Sequence, residues 1–173
     1  MKNRVLFVLL FAVALVTLTV GCEKKEENNN NNNNNNNQQQ QVEEKKLICS
    51  NSEKESKYTE TFKFTYNYKG DEFDKVAIES QTKYNSGTYD EKTYKKYGDE
   101  CKEALETTKR AGFTCNVQAS GSSIWVNYQF TMADLNDASK KMAKEAGIEE
   151  LSGKKIDEAK TILEAAEFTC EIK

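Results

Sequence analysis

Hydrophobic and polar positions divide the chain into stretches with different rhythms. Residues 5–20 form an unbroken uncharged apolar run. Glu23 to Lys46 then holds no apolar residue except Val42, and includes ten asparagines (28–37) followed by four glutamines (38–41). From Lys46 the period becomes two. Phe62, Phe64, Tyr66 and Tyr68 share one face, and Thr61, Lys63, Thr65 and Asn67 share the other. After Lys69-Gly70-Asp71-Glu72, a second run sets Val76, Ile78, Ser80, Thr82 and Tyr84 against Lys75, Glu79, Gln81 and Lys83. This pattern predicts a β-hairpin with one buried and one wet face. A shorter strand is expected before it, around Leu47-Ile48-Cys49.

The period then lengthens. Tyr94, Tyr97, Cys101, Leu105 and Thr108 recur at helical spacing, with Gly98 a candidate break and Gly112 placed to end the helix. Phe113 to Gln118 reads as a strand, ASGSS as a turn and Ile124 to Thr131 as the partner strand. Leu135, Ala138, Met142 and Ala146 mark a second helix. Ile156, Ala159, Leu163 and Ala166 mark a third, with Ser152 the expected N-cap, and Phe168 to Ile172 closes as a strand. KEALETTKRAGFTCNVQ (102–118) and DEAKTILEAAEFTCEIK (157–173) agree at six of 17 positions, each a helix, a turn and a strand bearing Phe-Thr-Cys. One such pair is too few for a solenoid.

The N-terminus has the layout of an export signal: Lys2 and Arg4, then the apolar run. Sixteen helical residues would reach roughly 24 Å, short of the ~30 Å hydrocarbon core, so a permanent spanning helix fits less well. Leu18-Thr19-Val20-Gly21-Cys22 resembles the lipobox of bacterial lipoproteins, in which the chain is cut before a lipidated cysteine. Thr19 stands where that family prefers leucine, which implies slower or looser processing. The resemblance assigns residues 1–21 to a lipoprotein signal peptide and makes Cys22 the lipid attachment site, holding the protein to the membrane. Residues 22–46 are expected to be a disordered Asn/Gln-rich linker, since they cannot bury enough surface to offset their ordering entropy. As a coil, such a tether reaches roughly 25–30 Å.

The lipobox, the hairpin FTYNYKGDEFDKV, the helix, the second hairpin and VNYQFTMADLNDASKKM together resemble the YehR-like family of uncharacterised bacterial lipoproteins. The likeness runs from about Leu47 to Lys173. It implies a small α+β domain outside the cytoplasmic membrane with no established activity and no catalytic residues to carry over. Members of that family often lack a long amide linker.

Composition narrows the chemistry. The chain carries 25 Lys and Arg against 28 Asp and Glu, and from Val42 onward 21 against 25, so a nucleic-acid partner is not expected. There is no histidine, which removes the commonest general base and zinc ligand. Besides Cys22 there are four cysteines: Cys49, Cys101, Cys115 and Cys170. An even set in an exported domain suggests two disulfides, for which three connectivities exist. A helix followed by a returning strand favours Cys101–Cys115 and leaves Cys49–Cys170. The wide spacings do not fit a zinc site, and no C-x-x-C motif is present. The carboxylate pairs Glu43-Glu44, Asp99-Glu100 and Glu149-Glu150 read as solvated faces. Asp134, Asn136 and Asp137 lack the glycine and glutamate of a calcium loop and read as helix capping. Trp125 falls on the face opposite Ile124, Val126, Tyr128 and Phe130, with Asn127 and Gln129, and is the one candidate binding aromatic.

The expected molecule is therefore an α+β domain over 47–173: an antiparallel sheet of hairpins with about three helices packed on one face. It is expected at the extracytoplasmic face of the membrane, lipid-anchored, as a non-enzymatic binding or interaction module for a cell-surface protein or small ligand. No cofactor or metal is expected. The alternative is an envelope structural or assembly factor; a hydrolase using carboxylates alone is a third reading, because glycosidases need only two.

Overall fold

The computed structural model describes residues 44–173. The expected signal peptide, Cys22 and the linker through residue 43 lie outside the described residues. β1 (Glu44–Lys54) pairs antiparallel with β2 (Tyr58–Lys69), and β2 with β3 (Glu72–Tyr84). β1 begins inside the stretch expected to be linker and is much longer than the short strand expected at Leu47-Ile48-Cys49. Its ends carry no apolar alternation of their own; β2 supplies a ladder partner for every residue from Glu44 (Lys69) to Lys54 (Thr59).

α1 (Glu91–Thr107) follows, its N-terminus capped by Asp90, which accepts from the Lys92 and Thr93 amides. The helix runs unbroken through Gly98. β4 (Phe113–Ser120) and β5 (Ser123–Thr131) form the second hairpin. A 3-10 turn (Met132–Asp134) leads to α2 (Asp137–Glu145), and a second (Glu149–Leu151) leads to α3 (Ile156–Ala165) and β6 (Thr169–Ile172). Several boundaries differ from expectation: α1 stops at Thr107, short of Gly112, and β6 starts at Thr169, one residue after Phe168. Leu135 precedes α2, because Asn136 caps that helix by accepting from the Ser139 amide. Ser152 is not the N-cap of α3; Lys155 holds that position without a side-chain cap, and its own amide donates to the Glu158 carboxylate at 3.3 Å. Leu151 is pinned in the core and Gly153 turns with φ +73°, so the helix starts only beyond that turn.

The six strands form one antiparallel sheet in the order β4-β5-β3-β2-β1-β6, open at both edges. Its architecture is α+β, and the sheet does not close into a barrel. Cross-strand register aligns the core in rows. Leu47, Tyr66, Val76, Phe130 and Phe113 form one row across five strands, none more than 2 % exposed. Each such buried side chain contributes about 1.5–3 kcal/mol. The next row runs Cys170, Cys49, Phe64, Ile78, Tyr128, Cys115 across all six strands. The helices cover this face: Ala143, Ile148, Leu151, Ala159 and Leu163 join the strand core, and the Phe168 ring meets Phe64 edge-on at 5.4 Å. No buried side-chain nitrogen or oxygen among the described residues lacks a hydrogen bond.

Candidate functional site

The opposite face of the sheet carries no helix among the described residues. Its side chains also fall into rows, fixed by the same register. At the end where the chain enters β1, Lys46, Asn67, Lys75 and Thr131 stand side by side. Lys45, Lys69 and Lys173 surround them together with Glu44 and Asp74, and Lys69 pairs with Asp74 at 2.8 Å. In the middle, Lys63, Glu79, Asn127 and Asn116 form a row beside Thr65, Ala77, Gln129 and Thr114. These two rows line a shallow hollow of about 280 Å³. The following row is Ser52, Thr61, Gln81, Trp125, Gln118.

Trp125 thus lies on the open face, half-buried between two glutamine side chains from the neighbouring strands. Gln81 is held in place by donating to the Ser123 hydroxyl at 3.3 Å. An indole with amides on both sides offers a flat apolar surface edged by hydrogen-bond donors and acceptors. The sequence places Trp125 on this face. That Gln81 and Gln118 flank it depends on which strands pair, which the sequence does not state.

A second feature sits at the sheet's edge, where α1 and β4 bound a groove of about 700 Å³. Gly98, Cys101 and Leu105 line it from the helix, and Cys115, Asn116 and Val117 from the strand. Lys95, Lys102, Lys109 and Arg110 also line it, and none of them pairs with a carboxylate among the described residues. Asp99 and Glu106 both come from α1, and no carboxylate faces them from the lining part of β4.

Two local rules are broken, at three residues, around this groove. Gly98 occupies a helix interior, where glycine costs about 1 kcal/mol relative to alanine. Packing does not require it, since a β-carbon there would meet nothing within 4 Å. Lys109 and Arg110 are consecutive and both left-handed, at φ +50° and +59°, which costs about 1–2 kcal/mol each for residues bearing a β-carbon. The turn that holds them is built from Arg110 N–H donating to the Leu105 carbonyl at 3.2 Å and Lys109 N–H to Glu106.

The cysteines are all accounted for within the described residues. Cys101 is joined to Cys115, fastening α1 to β4, and Cys49 to Cys170, directly opposite each other on β1 and β6. The α-carbons lie 5.5 Å and 4.1 Å apart, respectively. Asn136 acts as a cap and also donates from Nδ2 to the Thr108 carbonyl at 2.8 Å, tying the start of α2 to the end of α1. Among the described residues no group of three or more Cys, Asp or Glu is placed to hold a metal ion, and no helix is long and apolar enough to cross a membrane.

No protein-family model and no curated protein matches the chain. Two solved structures are similar in fold. The first is the NMR structure of a protein from Streptococcus pneumoniae TIGR4, with a TM-score of 0.52 and 16 % identity over 89 % of this chain and 99 % of that one. The second is the NMR structure of E. coli YehR, with a TM-score of 0.52 and 20 % identity over 77 % of this chain and 93 % of that one. The fold is YehR-like. At these identities the likeness concerns the fold alone.

Proposed function

We propose that this protein is an exported, lipid-anchored, non-enzymatic binding module at the extracytoplasmic face of the cell membrane. The observation that carries the binding role is the sheet face that no helix among the described residues covers, with Trp125 set between Gln81 and Gln118. A sheet with helices on one side only leaves its other side to solvent or to a partner. The anchor rests on the sequence: Lys2 and Arg4, the apolar run and the lipobox-like segment ending at Cys22. The arrangement of charge agrees with it. Lys45, Lys46, Lys69, Lys75 and Lys173 gather where the chain enters β1, the end that a tether would hold toward anionic headgroups. Two or more acyl chains are needed for stable anchoring, which bacterial lipoprotein processing supplies to such a cysteine.

The test separates anchor from face. Cys22→Ser is expected to abolish metabolic labelling with a palmitate analogue and to move the protein out of the membrane fraction or leave it unprocessed. A mature-size Cys22→Ser protein that stays with membrane overturns the anchor. Trp125→Ala in the lipidated chain is expected to remove crosslinks to surface partners in intact cells without changing fractionation. Crosslinks of unchanged pattern and yield overturn the face.

A further inference from the structure

We propose that the groove between α1 and β4 receives an extended acidic peptide segment, which adds to the sheet edge beside β4 as another strand. This rests on the binding-module reading but not on Trp125 or on the lipid, since the groove lies at the sheet edge and not on the open face. β4 ends the strand order, so among the described residues one side of its backbone has no strand partner and can template another chain. α1 stands above that edge, fastened by the Cys101–Cys115 bond, and closes the groove on one side. Alternate side chains of an added strand would point under α1, toward Leu105, Val117 and the disulfide.

The charge of the occupant follows from the rim. Lys95, Lys102, Lys109 and Arg110 outnumber Asp99 and Glu106, so a segment bearing carboxylates is favoured over a basic one. The three exceptional residues then share one explanation. Gly98 lines the groove and leaves open the space beside it that a side chain would enter. Lys109 and Arg110 keep cationic side chains at the turn where glycine would relax the backbone. Local choices that oppose the fold and converge on one place mark a site.

The measurement is fluorescence anisotropy on the full-length lipidated chain in detergent. The probe is a labelled short peptide alternating valine and glutamate; a valine–lysine peptide is the control. The glutamate peptide is expected to bind and the lysine peptide to bind at least about tenfold more weakly. Gly98→Leu, which blocks the groove, and Lys109→Gly with Arg110→Gly, which removes its cations, are each expected to weaken binding at least about tenfold while leaving Tm equal or higher. N-methylation of one alternate set of peptide amides is expected to abolish binding, and of the other set to spare it. Trp125→Ala is expected to leave peptide affinity within about twofold. No binding of the glutamate peptide, equal binding of both peptides, or binding unchanged in both groove variants overturns the proposal. Binding insensitive to N-methylation on either set reduces the groove to a patch of ionic attraction and also overturns it. Loss of binding in Trp125→Ala with both groove variants unaffected places the site on the open face instead, leaving the binding-module reading intact.

Discussion

Gly112 is where one residue most tightly constrains the fold. It has φ +59°, and a β-carbon there would lie 2.7 Å from the Asp134 carbonyl carbon and 2.8 Å from the Leu135 nitrogen. Its carbonyl accepts from the Thr131 amide at 2.7 Å, closing β4 against the exit of β5. Because the obstructing atoms are backbone, they cannot swing aside. Gly112→Ala is expected to destabilise by about 2–4 kcal/mol, read as a lower urea midpoint at unchanged slope. Gly98 is the contrasting case. It too is a glycine in or beside a helix, yet open space surrounds its β-carbon position, so its substitution tests function and not packing. The sequence marks Gly112 as the end of the helix, but α1 already stops at Thr107 with Thr108 as its C-cap, and the clash that makes Gly112 irreplaceable involves residues around Asp134. That approach exists only once β5 has brought the 3-10 turn back across the helix end.

At the scale of elements, the joints between neighbours carry the specificity. Asn136 caps α2, and the Ser139 hydroxyl in turn accepts from the Asn136 amide at 2.9 Å, a reciprocal capping box. The same side chain donates to Thr108 at the end of α1, so one residue fixes two helices. Asn136→Ala is expected to cost about 1–2 kcal/mol. Asn136→Asp keeps the cap oxygen, loses the donor to Thr108, and is expected to fall between them. A urea midpoint for Asn136→Ala equal to that of the parent would show that the joint bears no load. The two disulfides work over different ranges. Cys101–Cys115 closes a separation of 14 residues and holds one helix to one strand; Cys49–Cys170 closes 121 and joins the two ends of the domain. Loop entropy in the unfolded chain gives about 3 and about 5 kcal/mol for loops of these sizes.

Across the whole molecule, the two echoing segments acquire a common meaning. One ends in β4 and the other in β6, and these are the two edges of the sheet. Gly112 and Glu167 both turn with positive φ (+59° and +66°) just before Phe113 and Phe168, which pack toward the core. Cys115 and Cys170 follow in the same inner row. Their bonds differ: Cys115 ties its edge to a helix, Cys170 to the adjoining strand. Tyrosines set the alkaline limit of this core. Burial pushes Tyr68 and Tyr128 up to about 12, Tyr128 also through Glu100 and Tyr97, and Tyr66 is raised by burial and then by Tyr68. A raised phenol favours the neutral form in the folded state, so this stability is complete below about pH 10, the ordinary tyrosine value. It is lost as pH rises from there through the folded values. Tm by circular dichroism is therefore expected to fall steeply from pH 10 to 12, with tyrosinate absorbance rising in step with unfolding. A Tm that stays level to pH 12 would contradict the assignment.

What the sequence by itself determined was periodicity and content. The Phe62–Tyr68 alternation, the helical spacing of Tyr94 to Thr108 and the face of Trp125 follow from geometry of period 2 and 3.6, which acts within a few residues. The full length of β1 was not legible, because a polar strand such as Ser50 to Lys54 is held by its partner's ladder and not by its own pattern. Nor was the end-to-end order β4-β5-β3-β2-β1-β6. That order decides which strands are edges, which amides flank Trp125 and which cations meet the free side of β4. Pairing between distant strands is set by burial of all the inner faces at once, and only the tertiary structure resolves it.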